Sequence, residues 1–277
     1  MHGLYVLRML TVGCVIIVLA RPQTYDNWRS SETEGTDIVV ALDISTSMLA
    51  RDFEPNRFEA AKNVASQFVS ARKTDNIGLV LFAGESFTAV PMTMDHATLT
   101  NHIAALRMGF MEDGTAIGDG IATAINRIKE GKAKSKSIIL VTDGSNNTGT
   151  IAPVTAAEIA SKFGIKIYTI GVGKNGMAPY PTGTDIFGQL TYVNQPVVID
   201  ETALQNIASM TGGKYFRATD NNVLQEVFEE IDKLEKTKID VRNFTHPEDN
   251  YMIWAQLALI FFALEITLRN TWLRTIP

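Results

Sequence analysis

From Thr36 to Lys236 the chain alternates short apolar runs with amphipathic stretches, and nothing else in the sequence restricts its fold as strongly. Asp37–Leu42, Ile77–Phe82, Ile138–Val141, Ile165–Val172 and Lys214–Arg217 have the length of strands. Several are continuous Val/Ile/Leu runs, as expected of strands covered on both faces. Between them lie stretches of helical period. In residues 57–71, Phe58, Ala61, Val64, Ala65, Phe68 and Val69 share one stripe. Residues 116–129, 153–163 and Val223–Leu234 repeat the pattern, as does Glu201–Met210, where Thr211-Gly212-Gly213 reads as a C-cap. Strands alternating with helices of this length predict an α/β fold, a doubly wound, mostly parallel sheet flanked by helices. Residues 174–196 break the alternation with prolines and glycines. A structureless loop of that length would be uncommon. The stretch therefore predicts an insertion carrying a β-hairpin, Ile186-Phe187 against Leu190–Val193 across Gly188-Gln189.

Two apolar runs bracket this region. Residues 4–20 hold one charge, Arg8, and residues 251–268 hold one, Glu265. A bilayer core needs about 20 predominantly apolar residues in a helix, so the sequence predicts a transmembrane helix at each end. Arg8 and Glu265 lie near the ends of their runs, where a long side chain reaches the headgroups. The first run also has the form of a signal peptide cleaved after Val18-Leu19-Ala20. A retained span is preferred, because the second run has the same character and Arg21-Pro22-Gln23 looks like an interfacial stop. The second run is apolar on all sides, unlike the stripe of a core helix, and Trp254 and Trp272 suit an aromatic belt. The expected organisation is a first span with its flank (1–24), a domain (25–236) with the 174–196 insertion, a connector (237–249), a second span (250–270) and a tail (271–277).

Charge and cysteine content narrow the function. Without Arg8, Arg21, Arg269, Arg274 and Glu265, residues 25–249 keep 21 Lys+Arg against 29 Asp+Glu, a net charge of −8. No general nucleic-acid binder is expected from so acidic a middle. The single cysteine, Cys14 in the first run, excludes a disulfide scaffold and a multi-cysteine metal site. Arg269 and Arg274 follow Glu265 with no later acid, so the positive-inside rule puts the C-terminal tail in the cytoplasm and the acidic domain outside.

In open α/β sheets, ligands collect beyond the carboxyl ends of the strands. Asp43-Ile44-Ser45-Thr46-Ser47 follows the first strand, and Thr142-Asp143-Gly144-Ser145 follows the Ile138–Val141 strand. The loop Glu112-Asp113-Gly114-Thr115 opens a helix. Asp43, Ser45, Ser47, Thr115 and Asp143 together offer five oxygen donors and no soft ligand. That set suits Mg2+ or Mn2+ and disfavours zinc held by Cys and His. Taken singly, such residues are often helix caps. Their joint occurrence, in order and at these elements, is what points to a metal.

These motifs resemble the metal-ion-dependent adhesion site of von Willebrand factor type A domains, over roughly residues 36–236. Asn56–Lys62, Ile77–Glu85, Glu112–Asp119, Gly212–Ala218 and Leu19–Gln23 resemble the Bat aerotolerance membrane proteins, the BatA type most of all. The resemblance implies a Rossmann-like fold and a binding module rather than an enzyme. Ser45, Ser47 and Thr115 would ligate the cation directly or through water, and Asp43 and Asp143 likewise. An open position would then take a carboxylate from a partner protein, and the helix from Ala116 could shift with Thr115. The resemblance further implies other Bat proteins and a MoxR-type AAA+ ATPase as partners, a role in envelope stress or oxygen tolerance, and a multi-pass place in the bacterial inner membrane with a periplasmic domain. Two departures stand out. Thr46 replaces the usual glycine and crowds a tight turn, and Met1 begins almost at the family's second span. The enzyme alternative is a Mg2+-dependent phosphotransferase of haloacid-dehalogenase type with Asp43 as nucleophile. Such enzymes place a second carboxylate two residues on, where this chain has Ser45.

Overall fold

The computed structural model describes residues 2–21, 23–26, 35–109, 111–174, 176–184, 190–236, 246–249 and 251–271. The chain forms two compact units, Thr33–Asp240 and the two ends, Met1–Glu32 with Val241–Pro277.

The end unit holds helix α1 (His2–Leu19), strand β1 (Gln23–Asp26), and, from the far end of the chain, β10 (His246–Asp249) and α8 (Met252–Thr271). β1 and β10 pair antiparallel, Gln23 opposite Asp249 and Asp26 opposite His246. The expected connector thus contains a strand. Both apolar runs are helical, but they differ in length. Among the described residues only Met252–Asn270 is long and apolar enough to cross a membrane, and Tyr5–Leu19 is a shorter apolar helix. At 1.5 Å per residue that shorter run reaches about 22 Å, against about 30 Å for a hydrocarbon core. Arg8 and Glu265, expected to reach the headgroups from the ends of their runs, are not free side chains. They pair with each other, the Arg8 Nη2 and Nε donating to Glu265 Oε1 at 2.8 and 3.0 Å. Trp272 and Arg274 lie outside the described residues.

The larger unit is built on β2 (Asp37–Asp43), β3 (Asn76–Phe82), β4 (Ser86–Thr93), β5 (Lys136–Thr142), β6 (Lys166–Val172) and β9 (Tyr215–Ala218), in the order β4-β3-β2-β5-β6-β9. All neighbours are parallel except β3 and β4. The helices are α2 (Arg57–Ala71), α3 (His96–Ala105), α4 (Ile117–Ile128), α5 (Pro153–Lys162), α6 (Glu201–Thr211) and α7 (Asn221–Lys236). Alternate residues of each strand serve opposite faces. Ile38, Val40 and Leu42 pack with α2, α3 and α7, where Phe68 and Phe228 meet edge to face at 5.3 Å. Val39 and Ala41 pack with α4, α5 and α6. This is the expected doubly wound sheet. The connection through α2 builds outward to β3, and the chain later returns to place β5 on the other side of β2. The switch in strand order therefore falls between β2 and β5.

Helix α3 was not foreseen, nor were two strands of the larger unit. β4 is an edge strand that tolerates Pro91 and carries register shifts against β3. The other is the first strand of the insertion. β7 (Met177–Thr184) pairs with β8 (Leu190–Pro196), Thr184 opposite Leu190 and Tyr180 opposite Val193. The hairpin exists, but the partner of Leu190–Val193 is the proline-bearing 180–184, and residues 185–189 lie outside the described ones. The prolines are accommodated at an edge: the Pro179 carbonyl accepts from the Arg51 N–H at 3.0 Å instead of from β8.

Candidate metal centre

β2 ends at Asp43 and β5 ends one residue before Asp143, on the two sides of the strand-order switch. After Asp43 the chain makes a short 3-10 turn, Thr46–Leu49, instead of a helix. That turn brings Ser45 and Ser47 back over the strand end, their hydroxyls 2.9 Å apart. Asp43 is fully buried, and both its oxygens are engaged. Oδ1 accepts from the Ser45 N–H at 2.9 Å, and Oδ2 from the Thr142 hydroxyl at 2.6 Å. Asp143 is buried as well; it takes a hydrogen bond from Ser47 and an ion pair from Arg57 Nη1 at 3.3 Å. Gly144 turns the chain away at φ +94°, and a Cβ there would stand 2.7 Å from the Ile199 side chain.

Four of the five expected ligands are thus in one hydrogen-bonded cluster. Thr115 reaches the same end on the loop before α4. It is buried, and among the described residues its hydroxyl has no partner, although its backbone is held on both sides. Its N–H donates to Asn147 Oδ1 at 2.8 Å, and its carbonyl accepts from the Asn147 N–H at 3.1 Å. Asn146 Oδ1 caps the Ile117 N–H at 2.9 Å. Thr46 closes the arrangement from the other side. Its N–H and hydroxyl donate to Asp113 Oδ1 and Oδ2 at 3.0 and 2.6 Å. The residue expected only to crowd the turn therefore ties the serine loop to the threonine loop.

Burial and the charge of Asp143 push Asp43 up to about 7, against its hydrogen bonds from Ser45 and Thr142. Asp143 is also raised, by burial, with the Ser47 bond and Arg57 pulling it down. The one buried cation beside them, Arg57, is largely committed elsewhere. It is fully buried and grips Asp52 through two bonds of 2.7 Å, while Nη1 also donates to the Tyr180 hydroxyl of the hairpin at 3.0 Å. Two buried carboxylates, three hydroxyls and too little positive charge form an all-oxygen set that fits a hard divalent cation. Asp43 is badly placed as a nucleophile, since both oxygens are bonded and the side chain has no exposed surface.

Sequence reasoning quoted Thr142, Asp113 and Arg57 within its motifs but gave them no role, and it missed Asn146, Asn147 and Asp52. The Ser-Asn-Asn run after Asp143-Gly144 was the available signal for two of them, as Asn side chains in a loop past a strand end often bond backbone.

A family model for the von Willebrand factor type A domain matches residues 37–230. The chain belongs to that family. BatB from Bacteroides thetaiotaomicron is 33% identical with a TM-score of 0.63, over 73% of this chain and 100% of that one. An aerotolerance-related membrane protein from Bacteroides fragilis is 32% identical with a TM-score of 0.62, over 72% of this chain and 100% of that one. A UPF0353 protein from Mycolicibacterium paratuberculosis is 33% identical over 81% of this chain and 67% of its own length. The Bat likeness is therefore shown for this von Willebrand factor type A domain. One of the two structures carries the name BatB, and neither names the BatA type to which the sequence pointed.

Proposed function

We propose that this protein is a membrane-anchored von Willebrand factor type A module that binds a divalent cation, Mg2+ or Mn2+, and uses it to hold a partner protein. Asp43, Ser45, Ser47, Thr115 and Asp143 are the ligands. The observation that carries the reading is the pair of buried carboxylates at the strand-order switch, joined by two serine hydroxyls and short of neutralising charge. Neutral hydroxyls leave a bound divalent cation electron-poor, so it favours an anionic ligand, and a partner's Asp or Glu side chain supplies one. In this reading Asp43, Ser45 and Ser47 hold their oxygens in place, Thr142 and Asn147 fix the loops, and no bond of a substrate is broken.

The likeness to Bat proteins, together with α8 and the apolar α1, supports two membrane helices in a bacterial inner membrane. The positive tail supports a periplasmic domain. Work within a complex of Bat proteins, BatA type included, and a MoxR-type AAA+ ATPase, in envelope stress or oxygen tolerance, belongs to the same proposal.

Calorimetry on the full chain in detergent tests the core claim. Mg2+ and Mn2+ should bind the wild type and not Asp43→Ala, and partners retained on membranes in Mg2+ should be lost in EDTA. Equal binding by the variant refutes the site, and hydrolysis of generic phosphate esters that is lost in the same variant would reinstate a phosphotransferase.

A further inference from the structure

The exposed charge of the larger unit is polarised along its strands. Around the metal centre, at the carboxyl ends, the exposed acids include Glu54, Glu85, Glu112, Asp113 and Asp200, against Arg51, Arg107 and Lys174. The opposite end is basic. The loops and helix ends that feed β3, β5 and β6 carry Lys73, Lys132, Lys134 and Lys162, all exposed. With β2 and β5 between β3 and β6, neighbouring strands about 4.8 Å apart set these loops in a row about 14 Å long. The exposed acids at this end are Asp95 and Glu130. The other carboxylates here are buried and used internally. Asp37 accepts from Asn76 and Ala133, Asp75 from Thr36 and Arg72, and Glu235 from Ser135 and Tyr168. Two large apolar side chains stand out among the lysines: Phe163, 53% exposed beside Lys162, and Met94, 65% exposed just past β4.

Both links from this unit towards the apolar helices also start here. The chain enters β2 at Asp37 and leaves at the end of α7, where Glu235 is bonded to Ser135 and Tyr168 at the start of β5 and β6.

We propose that this basic end is a lipid-contacting face whose partner is the anionic surface of the bilayer. Each lysine within a Debye length of anionic headgroups is attracted only weakly. The larger unit is tethered through its chain to the apolar helices, so weak attraction acts at high effective concentration. Phe163 and Met94 give the interface an apolar foothold of the kind peripheral helices use. A lipid surface is favoured over a nucleic acid because the row is short, carries no aromatic groove, and is attached through the chain to apolar helices.

The inference rests on the membrane anchoring read above. It is tested on the full chain reconstituted in nanodiscs of phosphatidylcholine, with or without phosphatidylglycerol. Hydrogen exchange over residues 72–75, 129–135 and 161–166 should slow on the order of 3- to 10-fold with phosphatidylglycerol, and return in high salt. The triple variant Lys73→Gln, Lys132→Gln, Lys162→Gln should lose the effect while its melting stays that of the wild type. Equal exchange in the two lipids, or equal slowing in the triple variant, overturns the lipid face alone. A DNA duplex that protects the same segments more strongly than phosphatidylglycerol overturns it in favour of nucleic acid. A chain that stays soluble without detergent and enters no nanodisc refutes the anchoring, and the lipid face with it.

Discussion

Replacing Arg57 with methionine isolates the electrostatics of the metal centre. The guanidinium is fully buried, with two 2.7 Å bonds to Asp52, one of 3.3 Å to Asp143 and one of 3.0 Å to the Tyr180 hydroxyl. Methionine fills much of the volume but leaves two buried carboxylates without their cation. Removing one partner of a buried pair costs about 3–5 kcal/mol. For a domain of this size that lowers the melting temperature by about 6–20 °C. Thermal unfolding of the full chain in detergent, in EDTA, measures the loss. Added Mg2+ should restore a larger share in the variant than it adds to the wild type, because the cation then supplies charge that Asp143 no longer receives from Arg57. The pH dependence has a definite sign. Burial raises Asp52, but the hydrogen bonds and charge of Arg57 outweigh it and leave the carboxyl below its usual range. Its contribution is present above the unfolded value, about 3.9, and is lost as pH falls through the depressed folded value. The gap between variant and wild type should therefore narrow below about pH 4. A metal-free melting temperature within about 2 °C of wild type would refute the reasoning.

Asp143→Asn removes one of two coupled buried carboxylates. The metal-free protein should melt at the wild-type temperature or up to about 4 °C higher, while losing its Mg2+ response in calorimetry. Thr46→Val deletes the hydroxyl bond to Asp113, so Mg2+ affinity should fall about 5- to 10-fold, near 1–1.4 kcal/mol. Thr46→Ser should retain it, and equal affinity for Val and Ser would dismiss the clasp. Tyr168→Phe strips a 2.6 Å donor from the buried Glu235, costing about 1–3 kcal/mol in urea unfolding; a midpoint unchanged from wild type would mean that water replaces the phenol.

The order of strands and helices could be read from the sequence because buried parallel strands are apolar without interruption, and because helix stripes such as Phe58–Val69 have an unambiguous period. β4 could not: Ser86–Thr93 is a half-exposed edge with Pro91 inside it, and its pattern is neither continuous nor alternating. The hairpin was visible as an insertion, but its prolines looked like breakers. β7 tolerates them at an edge, where the Pro179 carbonyl accepts from the Arg51 N–H. Among the ligands, Asp43, Ser45 and Ser47 are local in sequence and their clustering could be anticipated. The residues that steady them are not local. Thr142 is 99 positions from Asp43, and Asp113 is 67 from Thr46. Pairings at that separation are decided by the strand order. Arg8 and Glu265, 257 positions apart, are likewise joined only by the fold, where the sequence placed each near one end of its own run.

That last separation has a consequence for how the molecule is made. At a synthesis rate of about 5–20 residues per second, α8 follows α1 by roughly 10–50 s. The domain between them, whose core contacts all lie within Thr33–Asp240, can fold in that interval. α1 meanwhile carries a bare guanidinium in an apolar helix, and β1 has an unpaired edge. The Arg8–Glu265 ion pair and the β1–β10 ladder are thus the last bonds to form, and their formation joins the two ends of a chain whose domain is already folded.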